Sequence, residues 1–76
     1  MSTAIARQTI VDLAAERDWQ RRTGDEGRSD SYSRGTVRIR VIWGGEDKLS
    51  GASLFHDEMY ESYTRDLNTL RAWFKR

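Results

Sequence analysis

The side chains that could do chemistry are few. His56-Asp57-Glu58 with Glu61 is the densest group of acid/base or metal-ligating residues. On a helix, Asp57 and Glu61 would share a face at i, i+4. Two carboxylates so placed could hold Mg²⁺. The simpler reading is a solvated acidic segment at or before a helix start, and with a single histidine no Ser-His-Asp set can be drawn. Gly44-Gly45 lacks the Gly-Lys-Ser/Thr that reaches phosphates in a phosphate loop. No metal site, no cofactor and no catalytic residue is therefore assigned, and the chain reads as a non-enzyme.

The best candidates for recognition are basic and aromatic. Arg38 and Arg40 lie two apart in Thr36-Val37-Arg38-Ile39-Arg40-Val41-Ile42-Trp43, so on a strand they project from one face, and Arg34 could extend the row. Such a row can pair with neighbouring acids, sit in water, dock a protein, or read nucleic acid as β-ribbons do. Three tryptophans are many for 76 residues. Most should be core, because each buries a large area. A partly exposed one beside arginine is a good anchor for a partner, and Trp43, at a strand end next to the glycine pair, is the expected one. The candidate partner-binding residues are thus Arg34, Arg38, Arg40 and Trp43.

Composition bounds the rest. The chain is long enough for one domain, and at this size less of the unfolded surface is buried than in larger domains. Cysteine is absent, which excludes disulfides and thiolate zinc sites and fits a reducing compartment. Met1-Ser2-Thr3-Ala4-Ile5-Ala6-Arg7 shows no basic region leading into an apolar run, so no signal peptide is read. No apolar run approaches the ~20 residues of a membrane span. The expectation is a soluble cytoplasmic protein. Thirteen basic against twelve acidic residues give +1, spread over both halves, so charge alone does not predict strong nonspecific binding to nucleic acid. All the bases except Lys48 and Lys75 are arginine. A GC-rich genome explains that bias most simply. Bidentate recognition of phosphate or carboxylate is the functional explanation.

These residues need elements to hold them. Residues 3–22 predict a helix capped by Thr3 or Ser2, with Ile5, Ile10, Leu13, Ala14 and Trp19 toward one side. Residues 22–31 predict a flexible loop, and 31–33 a possible short strand around Tyr32 before an Arg34-Gly35 turn. In residues 36–43, Val37, Ile39 and Val41 alternate with Arg38 and Arg40, the period of a half-buried strand. Gly44-Gly45-Glu46-Asp47-Lys48 is turn chemistry. Residues 49–55 predict the return strand, with Gly51 marking a bulge or close packing. Tyr60, Tyr63, Leu67, Leu70 and Phe74 are spaced three, four, three and four apart, a helical stripe that packs on the sheet or forms a short dimer seam. Residues 66–75 carry the firmest helical signal. Residues 56–65 are open between helix, strand and loop.

The fold class is α+β. A small α-β-β-β-α domain spans 1–76, with a three-stranded antiparallel sheet and two helices packed on one face. The expected core is Ile10, Leu13, Val37, Ile39, Val41, Leu67, Leu70 and Phe74.

Leu13-Ala14 with Trp19, then Tyr32-Ser33-Arg34-Gly35, the strand of residues 37–43, Gly51-Ala52 and Arg71-Ala72-Trp73-Phe74 together resemble a class of small proteins encoded by actinobacteria and their phages. The likeness spans most of the chain. It implies compact size and an accessory role rather than a reaction, in the host cytoplasm if phage-encoded. The element order also looks like that of a double-stranded-RNA-binding domain. That family expects a basic cluster at its second helix, where this chain has His56-Asp57-Glu58 and Glu61, which would repel phosphate. The function expected is a noncatalytic interaction protein that binds a host or self protein through the arginine-bearing sheet face and nearby aromatics. The alternative is a nucleic-acid-binding regulator, as a homodimer, using the same row.

Overall fold

Strand formation claims most of the chain between residues 20 and 64. The structure, a computed structural model, describes residues 6–24, 27–45 and 48–75. The elements run α1 (Ala6–Glu16), β1 (Gln20–Thr23), β2 (Ser29–Arg34), β3 (Val37–Gly45), β4 (Lys48–His56), β5 (Met59–Thr64) and α2 (Leu67–Phe74). The five strands form one antiparallel meander in the order β1-β2-β3-β4-β5. The α+β class and the two helices stand as expected. The sheet has five strands rather than three, because β1 and β5 add an edge on each side of the expected hairpins.

The first helix is shorter than propensity predicts. Residues 3–22 contain no glycine or proline, yet α1 stops at Glu16. Asp18 adopts φ 65°. The Asp18 N–H donates to the Ala15 carbonyl at 3.3 Å and the Trp19 N–H to that of Ala14 at 2.9 Å. This is a Schellman ending, which satisfies the last carbonyls while reversing the chain. It turns Trp19 inward, where its ring meets Phe74 edge-on at 5.2 Å and its Nε1–H donates to the Phe74 carbonyl at 3.1 Å. The freed chain then pairs as β1, with Arg21 opposite Tyr32 and Arg22 opposite Ser31. Residues 22–31 are accordingly not one loop, since they hold the end of β1 and the start of β2. The expected cap at Ser2 or Thr3 lies outside the described residues.

The hairpins turn as their residues allow. Gly35 has φ 63° in the two-residue loop between Arg34 and Val37, where a side chain would be strained. The β4–β5 hairpin turns on Asp57 and Glu58, both with positive φ (53° and 66°), the dihedral signs of a type I′ turn.

The second helix covers only the last part of the expected stripe. Asp66 caps α2, its carboxylate accepting from the Thr69 N–H at 3.1 Å. Tyr60 and Tyr63 lie on β5 instead. Their spacing of three mimics a helical period because β5 is bulged. Phe55 pairs with Tyr60 and Ser53 with Tyr63, so two steps along β4 match three along β5. The bulge places two residues an odd number apart on the same face of the sheet.

Both helices pack on the other face. Ile10 and Ala14 from α1 and Leu70, Trp73 and Phe74 from α2 bury against Tyr32, Ile39, Val41, Ala52 and Leu54. Of the expected core, Ile10, Ile39, Val41, Leu70 and Phe74 are fully buried, while Leu13, Val37 and Leu67 pack at its margin. The turns and bulges above therefore leave one sheet face covered by helices and one open.

Candidate functional site

Strand alternation assigns every residue of the sheet to a face. Toward the helices point Asp30, Tyr32, Ile39, Val41 and Leu54, all fully buried. Arg38 and Arg40 point the other way and are exposed, as the alternation requires. Across the open face two rows run from edge to edge. One is Gln20, Ser33, Arg38, Phe55 and Tyr60, and the other is Arg22, Ser31, Arg40, Ser53 and Tyr63. Sequence reasoning missed Arg22, because it sits in an edge strand whose four residues are all exposed and carry no apolar period.

Two expected site residues belong elsewhere. Arg34 follows Asp30 and Tyr32 onto the helix side, where its guanidinium lies 4.7 Å over the Trp19 ring and donates to the Arg17 carbonyl at 3.0 Å. It does not extend the Arg38–Arg40 row. Trp43 is only 2% exposed. Its backbone N–H donates to the Arg28 carbonyl at 2.8 Å and its Nε1–H to Asp30 Oδ2 at 3.2 Å. Alternation from Val41 turns it into the core, so the exposed anchor expected at Trp43 is not there. Exposed aromatics stand instead on β5, with Tyr60 62% and Tyr63 54% exposed.

The basic and aromatic halves of the open face meet along β3 and β4. The Arg38 guanidinium lies 5.0 Å over the Phe55 ring, and Phe55 meets Tyr60 edge-on at 6.1 Å. Gly51 faces this side with Tyr63 laid across it, so that a Cβ at Gly51 would strike the Tyr63 ring and hydroxyl. A shallow groove of about 450 Å³ is lined by Arg22, Ser29, Ser31, Arg38, Arg40 and Phe55. Among the described strand residues no carboxylate joins the two rows. Asp30 is on the covered side, Glu61 lines a separate cleft with Val37, Leu54 and His56, and Asp57 and Glu58 make the hairpin tip, where they line a cleft shared with Ser33 and Arg38 at the end of the open face.

Under β2 sits a buried charged hub. Asp30 is fully enclosed. Arg7 grips it with two hydrogen bonds, Nε to Oδ2 at 3.0 Å and Nη2 to Oδ1 at 2.9 Å, and Arg21 Nη2 adds a third at 3.2 Å. Arg7 Nη1 also reaches the Gly27 carbonyl at 2.7 Å. Burial acts to raise the Asp30 pKa, but the Arg7 hydrogen bonds, the two guanidinium charges and the Trp43 N–H together hold it below its usual value. Burial pushes the neighbouring Tyr32 phenol up to about 12, with the Asp30 charge adding and the arginines opposing. The Tyr32 hydroxyl makes no well-formed hydrogen bond, although the Arg21 guanidinium lies close enough to favour its ionised form. The hub ties α1, β1, β2 and β3 together beneath the open face.

His56, Asp57, Glu58 and Glu61 are distributed over a strand end, a turn and a second strand. Asp57 and Glu61 share no helical face, because this segment is not helical. Among the described residues no three histidine or acidic side chains converge as a metal site, and no helix is long and apolar enough to cross a membrane. Compared with protein-family models, curated proteins and solved structures, the chain matches none of them.

Proposed function

We propose that this chain is a noncatalytic interaction protein whose open sheet face docks an anionic partner. The observation that carries the reading is the segregation of the sheet. Arg22, Arg38 and Arg40 share a face with Phe55, Tyr60 and Tyr63, and no described strand carboxylate accompanies them. Arginines supply charge-assisted, bidentate hydrogen bonds to phosphate or carboxylate, and half-exposed tyrosines supply rigid contact area at low entropic cost. An accessory role of the kind found in actinobacteria and their phages suits such a module.

Immobilised heparin, a generic polyanion, tests the face directly. The protein should be retained at low salt and Arg38→Glu/Arg40→Glu should run through unretained. Arg71→Glu/Lys75→Glu makes the same change in net charge at the C-terminal end of the last helix and should be retained like the parent. Equal loss in both variants would show that net charge, and not this face, drives the binding.

A further inference from the structure

We infer that the partner of the open face is single-stranded nucleic acid, its phosphates held by Arg22, Arg38 and Arg40 and its bases stacked on Tyr60 and Tyr63. This rests on the reading of that face as the docking surface and names what docks there.

Three features carry it. The first is charge. Arg22, Arg38 and Arg40 line one groove that holds no described carboxylate, Asp57 and Glu58 meeting only Arg38 in a second cleft at the hairpin tip, and Ser31, Ser33 and Ser53 place hydroxyl donors between the arginines. A polyphosphate chain satisfies several cations at once, whereas isolated carboxylates must each be positioned by a partner's own fold. The second is spacing. Strands lie about 4.8 Å apart and residues about 3.4 Å apart along a strand. Arg38 and Arg40 therefore stand roughly 7 Å apart, and Arg22 and Tyr63 each lie roughly 10 Å from Arg40 on opposite sides. A strand crossing this face can keep its backbone over the arginines while its bases reach β5. The third is the state of the aromatics. Tyr60 and Tyr63 are more than half exposed, and Gly51 leaves room for the second ring to approach the backbone of β4. Exposed rings beside a basic track are the elements of a stacking platform, which tolerates any base because every base has a π-face.

Duplex fits less well. The major groove is about 12 Å wide and admits a helix or a two-stranded ribbon. A five-stranded sheet spans about 19 Å from edge to edge, too broad to enter it.

Fluorescence anisotropy decides the matter, with a labelled oligothymidylate of about 12 nucleotides, within the range such sites occupy. The same sequence in duplex and a labelled polyglutamate peptide are run beside it. The single strand should bind tightest. Its log affinity should fall with log salt at a slope near −2, at about −0.7 for each of three phosphate contacts. Arg22→Gln, Arg38→Gln and Arg40→Gln should each flatten that slope. Tyr60→Ala/Tyr63→Ala should weaken binding about tenfold or more with the slope unchanged, in a protein whose circular dichroism shows the parental fold at the assay temperature. Polyglutamate bound as tightly as the single strand overturns the nucleic-acid assignment, duplex bound as tightly overturns the single-strand assignment, and a tyrosine variant at parental affinity overturns base stacking; each leaves the docking face standing. Binding of no probe, together with failure on heparin, removes both.

Discussion

Asp30 shows how much a single side chain can carry in a chain this small. It is buried without exposure and satisfied by Arg7, Arg21 and Trp43. Asp30→Ala strands the Arg7 and Arg21 charges and the buried Trp43 Nε1–H, and because the two arginine side chains are 18% and 38% exposed water screens part of the loss, which falls below the about 3–5 kcal/mol of a fully buried pair. Asp30→Ala should lower the urea midpoint at neutral pH by more than the removal of either arginine. Arg21→Ala should cost less, because its side chain is 38% exposed and water screens the pair. The depressed pKa sets the pH dependence. The stability that Asp30 contributes is complete above its unfolded pKa, near 3.9, and is lost as pH falls through the lower folded value. A urea midpoint that drops on acidification below about pH 4 in the parent, by more than in Arg7→Ala, is the expected outcome. Tyr32 behaves oppositely. Its raised pKa means that its contribution is complete below about pH 10 and is lost as pH climbs toward about 12. Because the hydroxyl makes no well-formed hydrogen bond and only neighbours the Arg21 guanidinium, Tyr32→Phe should change stability by no more than about 1 kcal/mol and should blunt the alkaline loss. A clear destabilisation would mean that the hydroxyl is bonded after all.

At the level of elements, turns and bulges decide what each segment presents. The β4–β5 hairpin places two non-glycine residues at positive φ. Left-handed backbone costs L-residues about 1 kcal/mol or more, and type I′ turns favour glycine at the second central position. Glu58→Gly should raise the thermal midpoint, by roughly 1 kcal/mol of stability, while leaving Tyr60 and Phe55 in contact. The bulge opposite β4 explains why residues 60–74 read as one helical stripe. A spacing of three on a bulged strand is indistinguishable in sequence from a helical turn, and only the pairing of Phe55 with Tyr60 and of Ser53 with Tyr63 separates them. The end of α1 was equally hidden. Nothing local in residues 17–22 forbids helix, and the chain leaves it because Trp19 gains a buried site against Phe74.

Across the whole molecule the sheet separates a covered face from an open one. One face is committed to the core and the other to solvent, where the proposed docking surface lies. Ile39→Asp places an unpaired charge on the covered side and should abolish cooperative unfolding by circular dichroism. Arg40→Asp, one residue along, should shift stability by no more than about 0.5 kcal/mol, since its cross-strand neighbours are Ser31 and Ser53. Similar losses in both would show that the open face is not open.

The alternation of Val37, Ile39 and Val41 with Arg38 and Arg40 was sufficient, without any tertiary information, to assign the central strand and its two faces. It also located two of the three arginines on the open side. Cysteine content and the single histidine bounded the metal chemistry in the same local way. The remaining features depended on partners distant in sequence. Edge strand β1 has no apolar period because both its faces touch water, so neither its existence nor Arg22 was legible. Trp43 and Arg34 look like surface anchors until Asp30 and Trp19 supply their buried partners. Tyr60 and Tyr63 look like core until a bulge turns them outward. Local patterns report which face a residue prefers. They do not report which distant group will satisfy it, and in this chain the buried carboxylate and the Trp19–Phe74 contact made that choice.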